Sequence, residues 1–295
     1  MKKTPDDRAS RFEIITHDNG TSSVLEKSSR QAMHSRIGPW EEAKVLYVAQ
    51  SGLAARLAAS PALGPVVLHD VGMGISANAL AALDTLETLE SGVPRSLEIH
   101  SFENDLTGLL TALDHSEKFP FLQNRQTLLR RLIETGSVEV PNLSWKLHEG
   151  DYFENLMNSP VPELIYYDFY APRIYPALWT TDRFQEIHAQ VTRNRSPCTP
   201  SEQTPDHGTE LYTYTASTAV RAALLAAGFH VGYGTSTALK RETTIASTRL
   251  SSLQNPLEGK WLQKLMRSQP AMDVFTPEDW KILRTQAAEN RQFKS

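Results

Sequence analysis

Apolar and polar positions change their period several times along this chain, and each change marks an element. Phe12-Glu13-Ile14-Ile15-Thr16 and Thr21 to Leu25 are short alternating runs on either side of Asp18-Asn19-Gly20. An Asn-Gly pair tolerates positive φ, so this pattern predicts a β-hairpin. From Trp40 to Leu57 the apolar residues Ala43, Leu46, Tyr47 and Leu53 recur at helical spacing, with a break expected near Gly52. Strand-like and helix-like segments then alternate. Strands are expected at Val66 to Asp70, Leu97 to Glu103, Ser144 to Leu147, Leu164 to Tyr167 and Leu211 to Thr215. Helices are expected at Ser76 to Leu89, Asp105 to Asp114, Phe121 to Glu134, Pro176 to Ala189 and Ser217 to Ala227. Two further β-like runs, Phe229-His230-Val231 and Thr243 to Ser247, read as a terminal antiparallel pair.

Strands alternating with helices predict an α/β domain with a mostly parallel sheet covered on both faces. Three regions follow: residues 1–60 with the hairpin and a helical segment, a core at 61–248, and a tail at 249–295. The tail, helical in pattern and mixed in charge, reads as a surface appendage.

Composition narrows the class. A chain of 295 residues with 40% hydrophobic and 22% charged residues is that of an ordinary globular protein. Nothing approaches the ~20 consecutive apolar residues that span a bilayer. The polar start, Met1-Lys2-Lys3-Thr4-Pro5, carries no apolar signal core, so a cytoplasmic location is expected. A single cysteine, Cys198, excludes an internal disulfide and argues against a structural zinc site, and no metal is expected. The net charge of −4 gives no global nucleic-acid footprint, so any RNA contact would rest on local basic patches.

The candidate chemistry lies at the ends of the expected strands. Asp70-Val71-Gly72-Met73-Gly74 closes the first core strand and opens into a helix, and the second strand ends on Glu103. Strand, glycine turn, helix, strand, acid is the nucleotide-ribose order of a Rossmann-like fold. The glycines let backbone approach the ligand, and the acid takes the ribose hydroxyls. Four acids fall at strand ends (Asp70, Glu103, Asp151 and Asp168), where open parallel sheets bind ligands. Each also has a plain structural reading: Asp70 and Asp151 as helix caps, Glu103 as a solvated turn. Asp168 lies in Tyr166-Tyr167-Asp168-Phe169-Tyr170-Ala171-Pro172, an aromatic setting suited to holding or deprotonating an amine and to stacking a base. No Ser/His/Asp order, His-Glu-x-x-His or P-loop stands out.

These residues together resemble the methyltransferase domain of the MnmC family of bacterial tRNA wobble-uridine modification enzymes. The resemblance rests on Asp18-Asn19-Gly20-Thr21, His34-Ser35, Gly38-Pro39-Trp40-Glu41-Glu42-Ala43 and the turn from Asp70 to Asn78. It also rests on Asp168 to Pro172 with Pro176-Ala177-Leu178-Trp179-Thr180, and on Thr213-Tyr214-Thr215, Val220-Arg221, Leu225 and Ala227-Gly228-Phe229. It implies a class I SAM-dependent methyltransferase fold with S-adenosyl-L-methionine as cofactor. The implied reaction methylates the aminomethyl group of 5-aminomethyl-(2-thio)uridine in the tRNA anticodon loop. By the same resemblance Gly72, Gly74 and Asn78, with Asp70 beside them, line the methionine and ribose side. Glu103 takes the ribose hydroxyls, Asp151 the adenine edge, and Asp168 sits by the methyl acceptor. His34, Tyr170, Pro172 and Tyr214 fall on the acceptor side. Ser76 departs from the family's third glycine. The FAD-dependent oxidase fused in some members does not fit within residues 249–295, so a separate oxidase is an expected pathway partner. The alternatives are a methyltransferase of a free small molecule, a non-catalytic SAM- or RNA-binding module and, more weakly, an NAD-dependent dehydrogenase.

Overall fold

A computed structural model describes residues 11–33, 36–89, 94–193, 208–235, 242–269 and 275–294. The chain forms two compact units, Met1–Asn155 and Leu156–Ser295.

The first unit begins with the expected hairpin, β1 (Phe12–Thr16) and β2 (Ser22–Glu26), paired antiparallel with Ile14 opposite Val24. Gly20 takes φ 81°, and the Asn19 side chain accepts from the Thr21 N–H at 3.2 Å, which is why this turn chemistry sits here. A two-residue strand, β3 (Gln31–Ala32), extends the ribbon. The segment from Pro39 to Leu57 is helical and breaks at Gly52 in a left-handed conformation, as the spacing predicts. Its middle, Ala43–Ala49, winds as a π-helix, and Gln50 Nε2 donates back to the Leu46 carbonyl at 2.9 Å.

Four strands then build a sheet: β4 (Val66–Val71), β5 (Leu97–Glu103), β6 (Ser137–Val140) and β7 (Leu143–Glu149). β4, β5 and β7 run parallel, with Asp70 opposite Ser101 and Glu103 opposite Glu149, and β6 pairs antiparallel to β7. Leu68, Ile99 and Trp145 have no exposed surface, which fits strands covered on both faces. Helix Ala77–Thr88 follows β4, and helix Thr107–Asp114 follows β5. Strand β6 escapes the sequence pattern because it is short and buries only Val138. The helix expected over Phe121 to Glu134 divides into Pro120–Gln123 and Gln126–Thr135, the second ending at Gly136 with φ 75°.

In the second unit β8 (Leu164–Tyr167) runs parallel to β9 (Glu210–Thr213), with Tyr166 opposite Tyr212. β11 (Thr243–Ser247) lies antiparallel to both β9 and β10 (His230–Gly234), which is the terminal antiparallel pair the sequence predicts. Helices Thr181–Thr192 and Thr218–Ala226 are each started by a capping side chain, Thr180 and Ser217. The tail is no surface appendage. Its helices Gly259–Arg267 and Pro277–Ala288 bury Trp261, Leu265, Trp280 and Leu283. Asn290 Nδ2 donates to the carbonyls of Leu225 (2.7 Å) and Phe229 (2.9 Å), and the Gln292 amide pairs with both backbone groups of Val231. The mixed surface charge hid this because one narrow apolar stripe on each helix does the packing.

Candidate functional site

The glycine turn between β4 and helix Ala77–Thr88 is held in a left-handed conformation at three alternate positions: Gly72 (φ 78°), Gly74 (φ 53°) and Ser76 (φ 67°). Glycine adopts this at no steric cost, whereas an L-residue is strained there by ~1 kcal/mol or more. Ser76 therefore occupies a glycine position. It has no exposed surface, and its hydroxyl has no partner among the described residues. An ideal Cβ at Gly74 would make ordinary van der Waals contact with the Gly72 carbonyl at 3.8 Å and Met33 Sδ at 4.0 Å.

The carboxyl ends of β4, β5 and β7 are tied to one another through Phe102 and Glu103. The Gly72 and Met73 N–H groups donate to the Phe102 carbonyl at 3.1 and 3.2 Å. Gly74 N–H donates to Glu103 Oε2 at 3.0 Å, Asp105 N–H to Oε1 at 3.0 Å, and Gly150 N–H to the Glu103 carbonyl at 2.9 Å. Burial pushes the Glu103 carboxyl above the usual glutamate range, with backbone N–H groups of Asp105, Gly74 and Asn104 opposing. Three backbone donors leave part of the carboxylate's acceptor capacity for a ligand hydroxyl. Asp151 Oδ1 accepts from the Phe153 N–H at 2.7 Å and so caps the helical turn Tyr152–Leu156 while staying half-buried. A glycine turn bonded to an acid that ends the next strand suits a nucleoside.

Asp70 is the most enclosed of the first unit's three candidate acids. Asp70 has no exposed surface: Ser101 Oγ donates to its Oδ2 at 2.8 Å, and Trp145 Nε1 donates to Ser101 Oγ at 3.0 Å. Its Oδ2 is thereby tied to the neighbouring strand β5. Asn78 is buried in the first turn of its helix. His34 lies outside the described residues. The sequence reading missed Arg11, which pairs with Asp105 directly after the Glu103 turn, and with Glu26 at 2.9 Å. It also missed a histidine cluster on the opposite sheet face. There His100 Nδ1 lies 2.8 Å from His148 Nε2, His69 Nδ1 3.3 Å from the Tyr152 hydroxyl, and the His148 ring stacks on Phe102 at 4.6 Å.

In the second unit Asp168 follows β8, half-buried, in an aromatic-rich segment. The Tyr167 ring meets Phe169 edge-on at 5.0 Å and Trp179 at 5.1 Å, and its hydroxyl donates to the Leu178 carbonyl. Trp179 Nε1 donates to the Tyr170 carbonyl at 3.0 Å, and the Tyr214 hydroxyl to the Phe169 carbonyl at 3.0 Å. Asp168, Tyr170, Pro172 and Tyr214 thus gather at the carboxyl ends of the parallel strands β8 and β9. Arg221 is a structural clamp: it is buried, ion-paired to Glu242 at 2.9 Å and bonded to Thr244 and the Thr243 carbonyl. Among the described residues no acidic, His or Cys group could hold a metal ion, and no helix is long and apolar enough to cross a membrane.

Residues 121–249 match the model of a family described as S-adenosyl-L-methionine-dependent methyltransferases. Among solved structures, MnmC2 from Aquifex aeolicus aligns at a TM-score of 0.66 with 23% identity, covering 94% of this chain and 84% of its own. The precorrin-6Y C5,15-methyltransferase of Geobacter metallireducens aligns at 0.34 with 16% identity, covering 67% of this chain and 86% of its own. Human methyltransferase-like protein 13, solved with SAH, aligns at 0.36 with 14% identity, covering 82% and 91%. No curated protein matches by sequence. Parallel strands, a glycine turn tied to the next strand's acid, a family match and one fold shared over nearly all of its length make this chain a class I S-adenosyl-L-methionine-dependent methyltransferase.

Proposed function

We propose that this methyltransferase methylates the aminomethyl nitrogen of 5-aminomethyl-(2-thio)uridine at the tRNA wobble position. The observation that carries the reading is Asp168, half-buried at the end of β8 in an aromatic segment that Trp179 and Tyr214 tie down through the Tyr170 and Phe169 carbonyls. Such surroundings disfavour an ammonium ion, while the carboxylate offers a proton acceptor. The family resemblance in the blocks around Asp168 and Thr213 supports the same acceptor.

In this reading Gly72, Gly74 and Asn78 line the methionine and ribose side of the cofactor. Glu103 takes the ribose hydroxyls and Asp151 the adenine edge. Asp70 stands beside the glycines on the cofactor side, its Oδ2 held by Ser101. When bound, the cofactor supplies an electrophilic methyl group on a sulfonium. The amine lone pair would take that methyl group as the sulfonium leaves as a thioether, and Asp168 would accept the amine proton directly or through water. Alignment supplies most of the acceleration of such an in-line displacement. His34, Tyr170, Pro172 and Tyr214 hold the acceptor nucleoside. A separate FAD-dependent oxidase is the source of the aminomethyl substrate, and the cytoplasm is where the two enzymes meet the tRNA.

The test is incubation with labelled cofactor and bulk tRNA from cells lacking this gene, followed by nucleoside mass spectrometry. Label in a wobble-uridine derivative is the expected result; label only in small metabolites would overturn the reading in favour of a free small-molecule acceptor. Asp168→Ala is expected to lower turnover ~100-fold, the scale of lost general-base catalysis, with cofactor affinity unchanged.

A further inference from the structure

We infer that Tyr175 is a stacking platform for a nucleobase that flanks the methylated one in a single-stranded RNA loop. Among the described residues Tyr175 is the one aromatic side chain in the group of large hydrophobics left exposed, at 39%; the others are aliphatic or methionine. An exposed ring at the end of a sheet is unremarkable when it swings freely. This one is fixed before any ligand arrives.

The turn that carries Tyr175 is pinned at several points. Ile174 and Tyr175 N–H groups donate to the Ala171 carbonyl at 2.8 and 3.2 Å, and Leu178 N–H donates to the Tyr175 carbonyl at 3.2 Å. Pro172 and Pro176 restrict φ on either side, and Pro176–Trp179 forms a 3-10 turn directly after Tyr175. Trp179 Nε1 closes the turn onto the Tyr170 carbonyl at 3.0 Å. One side of the Tyr175 ring is taken by Tyr170, with centroids 5.7 Å apart and planes tilted by 43°. The same turn carries Asp168 at its start and an exposed guanidinium, Arg173.

A rigid aromatic ring immobilised by a neighbouring ring loses little conformational entropy when a planar ligand stacks on it. Each nucleobase has a π-face to offer, and single-stranded RNA is bound in this way, with cationic side chains meeting its phosphates. An anticodon loop presents unpaired bases on both sides of the wobble position. The inference therefore rests on the proposed RNA acceptor and adds to it a contact outside the reacting nucleoside.

The test uses the full chain and an anticodon stem-loop RNA carrying 2-aminopurine at either nucleotide flanking the wobble position. Stacking quenches this base, so binding and stacking are read together without methyl transfer. The wild type and Tyr175→Phe should bind and quench. Tyr175→Ala should lose the quench and bind roughly 10-fold more weakly, within the range for loss of one base–aromatic stack. An unchanged cofactor affinity for Tyr175→Ala shows that the variant is folded. Quenching and affinity equal to wild type in Tyr175→Ala, or no quench in the wild type, would overturn the inference. Quenching that depends on Tyr175, in a protein that leaves wobble uridines unlabelled, would remove the proposed reaction and leave the platform standing.

Discussion

The backbone N–H of Gly74 donates to Oε2 of Glu103 at 3.0 Å, linking the glycine turn after one strand to the acid that ends the next. The two residues are 29 apart in sequence, and register brings them together, since β4 and β5 run parallel with Val71 opposite Phe102. The carboxylate is thus oriented by protein N–H groups before a ribose arrives, a preorganisation that lowers the cost of binding.

Glu103→Ala is expected to weaken cofactor binding about 10- to 100-fold, because charge-assisted hydrogen bonds are worth ~1.5–3 kcal/mol. Calorimetric titration with S-adenosylmethionine in the absence of RNA checks this. Burial holds the Glu103 pKa above the usual glutamate range. Affinity should therefore fall on acidification starting above that range, and Glu103→Gln should flatten the dependence.

Ser76→Gly should stabilise the protein. It removes a side chain from a backbone held at φ 67° and deletes a buried hydroxyl without a partner among the described residues. Relief of ~1 kcal/mol or more from the left-handed conformation exceeds the extra chain entropy glycine brings to the unfolded state. Thermal unfolding without cofactor is expected to show a midpoint roughly 2 °C higher. An unchanged or lower midpoint would show that the turn is not strained.

Ser101→Ala should be costly for a surface-invisible change. Ser101 Oγ donates to Asp70 at 2.8 Å and accepts from Trp145 Nε1 at 3.0 Å, so its loss leaves a buried carboxylate one donor short and an indole N–H without this acceptor. A destabilisation of about 2 kcal/mol is expected in urea unfolding. Trp145→Phe, which removes the donor and leaves Asp70 bonded to Ser101, should lose stability through packing alone.

Desolvation, with His100 and Lys146 adding to it, lowers the pKa of His148 from 6.5 to about 4. Between those two values the unfolded chain binds a proton that the folded chain does not. The stability tied to this group is therefore present above pH 6.5 and is lost as pH falls towards about 4. The side chain is half-buried, so solvent reduces the effect below full linkage. Urea midpoints measured across this window should fall less steeply in His148→Gln than in wild type.

Much of the fold was legible because its signals are local. Asn19-Gly20 announces a hairpin by its φ preferences, and the helix break at Gly52 and the turn at Gly72 and Gly74 follow from the same freedom. The strand at Leu97–Glu103 was read to its observed ends, since its apolar run is bounded by polar segments. Strand β6, with one buried residue, and the π-winding of Ala43–Ala49 carry no comparable periodic mark. At the site, Glu103 and the glycines stand where the strand–turn order predicts them. Asp70 also stands near the end of its strand, but its bond to Ser101, and the bond of Ser101 to Trp145, come from strand register and carry no local mark.

The amino-acid sequence by itself determined the order of strands and helices, the glycine turn and the acid at the end of the second core strand. These depend on backbone preferences and on periods of two or 3.6 residues, both readable within a few positions. Only the tertiary structure decided that Arg11 meets Asp105 across 94 residues, that the tail is anchored through Asn290 and Gln292, and that Tyr175 is held with its ring exposed. Those outcomes depend on which distant surfaces bury one another, and burial is a property of the assembled core rather than of any stretch of chain.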